Sequence, residues 1–117
     1  MGVEVRAVCR HVHMSSQKVK LVVDMVRGKG VNDALSLLKY STRAAADPVA
    51  KTIASAAANA EANFGLAVSD LYVAQIFADE GPTLKRGSFG ARGRFKPLLK
   101  RSSHITVVLE SLEEAAH

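Results

Sequence analysis

The chain has no tryptophan, a single cysteine, three prolines and only 5% aromatic residues among its 117. A core without large rings must close through Ala, Val and Leu, which pack tightly and leave little room for a sizeable ligand. The lone thiol, Cys9, excludes an intramolecular disulfide and suits a reducing cytosol. No apolar run approaches the roughly 18 residues of a membrane span, so no membrane partner is expected. MGVEVRAVCR lacks the apolar centre of a secretory signal, and Arg6 stands where a myristoylation site wants Ser or Thr. These absences predict a cytosolic chain, or one in an organelle that makes its own proteins. Negative charge is missing from one long stretch. Residues 81–109 hold seven Lys or Arg and no Asp or Glu, whereas residues 1–80 hold nine basic and eight acidic groups. The net charge of +5 is therefore concentrated in one segment, as in a polyanion-binding appendage, with an acidic tail following it.

What is present fits one folded domain: 48% apolar and 23% charged residues, enough chain for a single core. VEVRAVCRHVH alternates and predicts a first strand with Val3, Val5, Ala7 and Cys9 on one face. In SSQKVKLVVDMVRG, Ser15 or Ser16 caps a helix whose Val19, Val22, Val23 and Val26 form one stripe, and Gly28 stops it. The RGKG that follows comes after a helix, whereas a P-loop precedes one, so it reads as a turn. NDALSLLKYS predicts a short helix capped by Asn32, with Leu35 and Leu38 inward. A third helix starts either at Asp47 with Pro48 first, or near Thr42 with a kink at Pro48. Its stripe is Val49, Ile53, Ala56, Ala57, Ala60 and Phe64, and Gly65 ends it. Asn59 and Asn63 share a face of this helix, either solvated or RNA-facing. DLYVAQIFADE predicts a strand with Leu71, Val73 and Gln75 on one side and Tyr72, Ala74 and Ile76 on the other, and HITVVLE predicts another strand.

Several chemistries can be weighed against these elements. Cys9, His11 and His13 alternate onto one side of a strand, and His104 would be the fourth zinc ligand; the competing interpretation is a buried thiol beside two surface histidines. Asp79 and Glu80 are neighbours on a strand, point to opposite faces, and so cannot hold one ion together. Ser103 and His104 are adjacent, which is no catalytic triad, and no carboxylate constellation or glycine-rich catalytic loop occurs. No enzyme activity, no metal and no cofactor is expected.

The basic stretch GPTLKRGSFGARGRFKPLLKR lies between the last two strands. Strands over residues 81–88 and 94–101 with a turn near Gly87 to Gly93 would make a hairpin arm of about 30 Å, at roughly 3.3 Å per residue. A bare two-stranded hairpin is marginal in water, and Pro82 and Pro97 each remove a ladder donor. Such an arm needs a partner. Lys85, Arg86, Arg92, Arg94, Lys96, Lys100 and Arg101, interleaved with Phe89 and Phe95, combine phosphate-neutralising and base-stacking groups. If all seven cations met phosphates, log K would fall with log[salt] at a slope of roughly −5 to −6. Gly87-Ser88-Phe89-Gly90 matches the GXXG clamp of a KH domain, but that clamp joins two helices, and these flanks read as strands. The RG steps resemble disordered arginine–glycine tracts, yet strands on both sides tie the ends together. An architectural nucleic-acid-binding protein with a basic β-arm on DNA is the alternative, although no dimer seam is evident.

EGPTLKRGSFGARGRFKPLLKRSSHITVVL, SSQKVKLVVDMVRGK and AAANAEANFG, in this order, closely resemble the bacterial large-subunit ribosomal protein family numbered twenty-two. The resemblance covers residues 5–109. It implies an α+β fold, with three helices packed on a small three-stranded antiparallel sheet and a long extended β-hairpin arm. The body would comprise residues 1–80 and 102–110, the arm 81–101, and the acidic tail 111–117. The implied role is a structural constituent of the large ribosomal subunit that binds large-subunit rRNA, supports assembly and lines the nascent-peptide exit tunnel with its arm. Implied partners are the rRNA, neighbouring large-subunit ribosomal proteins, the nascent polypeptide, and macrolide antibiotics near the tip; no homo-oligomer is expected. Lys85, Arg86, Arg92, Arg94, Lys100 and Arg101 match the family's basic arm, and Lys18, Lys20, Arg27 and Lys29 its basic first-helix region; Lys96 and His104 complete the expected rRNA-binding set. The tunnel-lining tip would be Gly87, Ser88, Phe89, Gly90, Ala91 and Arg92. Here the sequence departs from its relatives, with Ser88-Phe89-Gly90-Ala91 where they have Met-Pro followed by Arg-Ala, and with Phe95, Lys96 and Pro97 beyond.

Overall fold

A computed structural model describes the backbone of residues 4–82, 84–89 and 95–111, with side chains for 4–82 other than His11 and for 101–111. The elements run β1 (Glu4–Val12), α1 (Ser16–Val26), α2 (Val31–Lys39), α3 (Ala46–Phe64), a 3-10 turn (Val68–Asp70), β2 (Leu71–Glu80), β3 (Leu84–Phe89), β4 (Phe95–Lys100) and β5 (Ser103–Ser111). The architecture is α+β, as the resemblance implied. Val3 and the tail from residue 112 lie outside the described residues, while Ser111 still belongs to β5 and is buried.

β5 is the centre of a three-stranded sheet of order β1-β5-β2, antiparallel to both neighbours. Its Ile105, Val107 and Leu109 stand opposite Cys9, Ala7 and Val5 on one side and Ala78, Ile76 and Val73 on the other. This face takes the helices: α1 packs on β2, and α3 on β1 and β5. The core is made of Val, Ile, Leu and Ala, as a sequence poor in rings requires. The opposite face leaves Val8 and Phe77 exposed beside Thr106.

Two bulges correct the simple alternation predicted for the outer strands. In β2 the register shifts between Val73 and Gln75, so Ile76 and Ala78 are buried and Gln75 is exposed. One extra residue moves the rest of a strand to the other phase, which lets apolar residues at 71, 73, 76 and 78 all face the helices. In β1 the shift between Cys9 and Val12 buries Val12 and leaves His13 exposed beyond the strand. The alternation that would have grouped Cys9, His11 and His13 is therefore broken.

The helices hold their predicted stripes but not all of their predicted ends. Val19, Val22, Val23 and Val26 are buried in α1. Gly28 adopts φ 82°, its N–H donates to Val73 O at 2.9 Å, and Val73 N–H donates to Lys29 O at 2.8 Å. The RGKG turn thus pairs with the outer edge of β2. α2 is capped by Gly30 instead of Asn32, because burying Val31 and bonding Ala34 N–H to Gly30 O at 2.8 Å start the helix earlier; Leu38 is buried and Leu35 half-buried. α3 starts at Ala46, between the two predicted starts. Pro48 is its third residue, where an N–H has no helical acceptor, and Val49 donates the first helical bond to Ala45 O at 3.3 Å. Phe64 is exposed, contrary to expectation; Thr52 is inside, with its hydroxyl donating to Pro48 O at 2.8 Å. Gly65, at φ 63°, closes the helix.

β3 and β4 form a separate two-stranded ladder, from Leu84↔Lys100 to Phe89↔Phe95 without a bulge. Each limb has six residues, about 20 Å of strand. Pro97 sits within β4 opposite Gly87, and Pro82 precedes β3. The molecule measures 68 × 25 × 19 Å, and its radius of gyration of 17.5 Å exceeds the about 13 Å of a compact chain this long.

Candidate nucleic-acid interface

The arm is anchored where β2 and β5 diverge. Gly81 N–H donates to Ser102 O at 3.0 Å, and the Ser102 hydroxyl donates to Pro82 O at 2.8 Å. A Cβ on Gly81 would lie 2.6 Å from Ser102 Oγ and 3.1 Å from His104 Cε1. A side chain here would have to displace the Ser102 hydroxyl and crowd the His104 ring, so the glycine is favoured by packing and not by its backbone angles. His104 is half-buried in this junction, opposite Asp79, and Arg101 is exposed at the start of the arm.

Along the ladder the register places Lys85 opposite Leu99, Arg86 opposite Leu98, Lys96 opposite Ser88 and Lys100 opposite Leu84. No two of these cations are directly opposed, which avoids the repulsion that like charges suffer across a ladder. Of the predicted tip, Gly87, Ser88 and Phe89 belong to β3, while Gly90, Ala91 and Arg92, with the arm cation Arg94, lie outside the described residues.

On the body, Lys18, Lys20 and Lys29 are exposed. Residues two apart on a helix are turned by about 200°, so Lys18 and Lys20 leave α1 on opposite flanks of its buried stripe. Lys20 shares its flank with Asp24 and Arg27. The Arg27 guanidinium bridges Asp24 Oδ1 at 2.6 Å and donates to Ile76 O at 2.8 Å, tying α1 to β2 with part of its donor set. Counting cations along the sequence missed this engagement, because Ile76 is distant in the chain. Asn63 donates its amide N–H to Asn59 Oδ1, so the two asparagines on α3 pair along one face of the helix. Asp79 and Glu80 are both exposed at the end of β2.

At the far end of the sheet the Tyr72 hydroxyl donates to Glu110 Oε2 at 2.5 Å. That hydrogen bond, followed by burial and the carboxylate's charge, holds the phenol above its ordinary value. Among the described residues no three His, Cys, Asp or Glu gather to hold a metal ion. No described helix is long and apolar enough to cross a membrane.

A feature that no single stretch announced lies beside the junction. Ser15 and Ser16 at the start of α1, Glu80 at the end of β2, and Arg101 and Ser102 together line a polar cavity of about 90 Å³. The sequence suggested Ser15 or Ser16 as a helix cap; Ser15 is at the N-cap but makes no side-chain capping bond. A family model described as ribosomal protein L22p/L17e matches residues 7–110, a span that includes the helices, the three-stranded sheet and the arm.

Proposed function

The chain belongs to the ribosomal protein L22p/L17e family, a structural constituent of the large ribosomal subunit, and on that premise we propose how its two parts act there. The body (1–80 and 102–110) rests on the subunit, and the arm (81–101) runs between segments of large-subunit rRNA. The observation that carries this proposal is a ladder of only two strands, continuous with the body, in a stretch with seven cations and no acid. A two-stranded ladder is marginal alone, and cations of one sign need counter-charge; rRNA supplies both the anions and the walls. Lys85, Arg86, Arg92, Arg94, Lys96, Lys100, Arg101 and His104 bind rRNA from the arm and its base. Lys18, Lys20 and Lys29 add contacts from the body, with Arg27 using the donors its Asp24 and Ile76 bonds leave over.

The tip, Gly87 to Arg92, lines the nascent-peptide exit tunnel, where it meets the growing polypeptide and the zone that macrolide antibiotics occupy. The chain acts without catalysis, beside neighbouring large-subunit proteins, in cytoplasmic or organellar ribosomes. Its work is assembly: neutralising phosphates and giving rRNA segments a shape to fold around. Sedimentation of a cell lysate at high and low magnesium tests this. The chain should travel with the large subunit at both; recovery mainly as free protein, or with nucleoid DNA, would overturn the proposal.

A further inference from the structure

We infer that the polar cavity at the junction of arm and body holds one nucleotide of an RNA strand, with its phosphate at the start of α1 and its ribose 2′-hydroxyl at Glu80. The inference rests on the RNA-binding reading above and adds a discrete site to it.

Three observations converge on the cavity. The first is unused donor capacity. The N–H groups of Ser16, Gln17 and Lys18 precede the first helical bond of α1, which Val19 donates to Ser15 O at 3.3 Å, and no side chain caps them. Free N–H groups at a helix start, with about half a positive charge from the aligned peptides, attract an anion. The second is Ser16, only 6% exposed, lining the cavity with a hydroxyl that forms no hydrogen bond among the described residues. The partnerless hydroxyls that are fully buried are those of Ser103 and Ser111, so the Ser16 hydroxyl still opens into the cavity, where its hydrogen-bonding capacity is available to a ligand. The third is a pair of opposite charges left apart. Arg101 and Glu80 line the same space, yet neither forms an ion pair among the described residues.

Those two charges specify the ligand. Arg101 and the helix start call for an anionic oxygen, whereas the Glu80 carboxylate repels an anion and calls for a donor. A phosphodiester next to a ribose 2′-hydroxyl supplies both within a few ångströms; DNA supplies only the anion. The about 90 Å³ available accommodates a phosphate group and the edge of a sugar. Because the cavity sits where the arm leaves the body, the bound nucleotide would fix the register between the RNA and the arm.

The test is a titration of the full isotope-labelled chain, followed by amide NMR, with adenosine 3′-monophosphate and its 2′-deoxy analogue. Both should shift the Ser16 and Gln17 amides saturably, the ribose form binding about tenfold more tightly, the scale of one hydrogen bond to a charged group. Arg101→Ala and Ser16→Ala should weaken both ligands, and Glu80→Ala should erase the preference for ribose. Unmoved α1 amides at the solubility limit of the nucleotides, or equal affinity for the two, would overturn the site. A parallel filter-binding assay with large-subunit rRNA separates the two levels. If the wild-type chain binds that RNA while the nucleotides leave α1 unmoved, only the cavity proposal fails. If it does not bind the RNA at all, the RNA-binding reading fails and takes this one with it.

Discussion

β4 ends at Lys100 and β5 begins at Ser103, yet the two strands are held by different means. β5 has a partner on each side, helices over one face, and residues from Ile105 to Leu109 that are all buried. β4 has one partner and belongs to a ladder of two. Apolar burial at roughly 25 cal/mol per Å² supports the first. The second has only its one partner strand, and a two-stranded ladder is marginal by itself in water. The body thus holds the buried core and is nearly charge-balanced, while the arm is cationic and made of two strands. The buried core and the excess positive charge lie in separate regions, so mutations should be able to move stability without the salt dependence of binding, and the reverse.

The largest effect should come from removing charge. Replacing Lys85, Arg86, Lys100 and Arg101 together by alanine should make log K against log[salt] for large-subunit rRNA shallower by about 3, at roughly 0.7 to 0.9 per lost phosphate contact. The urea midpoint of the body should stay where it is. An unchanged salt slope would place the phosphate contacts elsewhere and erase the division of labour. The reciprocal experiment is Ile53→Ala, which empties a fully buried position on α3. It should lower stability by about 3 kcal/mol, measured by urea unfolding, with the salt slope of the folded protein retained.

This division also explains how legible the molecule was from its sequence. The stripes of α1 and α3 were readable because a helix repeats every 3.6 residues whatever surrounds it. The sheet faces were readable only up to the bulges at Ala74 and before Val12, where tertiary packing of Ile76, Ala78 and Val12 overrides simple alternation. Helix starts slipped by two residues at Asn32 and Asp47 because backbone and burial, not side-chain caps, set them. The arm's cations were plain from composition. The cavity was not, since Ser16, Glu80 and Arg101 meet only after the sheet has closed.

The junction between the regions can be probed by itself. Gly81→Ala keeps an allowed backbone but sets a methyl group 2.6 Å from Ser102 Oγ, which must abandon Pro82 O or push the crossing apart. Overpacking of this kind costs about 1–2 kcal/mol. Ser102→Ala in the same chain should recover most of it by removing the atom in the way. If the double variant is no better than Gly81→Ala alone, the His104 ring is the tighter obstacle, and the base of the arm is held by β5 and not by the loop.

The smallest effect separates the regions by pH. The Tyr72 phenol is held above its ordinary value by its hydrogen bond to Glu110, so the folded body prefers it protonated. A group raised on folding contributes fully below its unfolded value, here about 10, and the contribution fades as pH climbs through the folded value. Tyr72→Phe should therefore flatten the alkaline limb of the body's stability curve. The salt slope of rRNA binding is the matching readout for the arm, and the variant should leave it unchanged. If Tyr72→Phe moved both the alkaline limb and the salt slope, body and arm would be one cooperative unit, and the contrast between β5 and β4 would describe geometry without describing energetics.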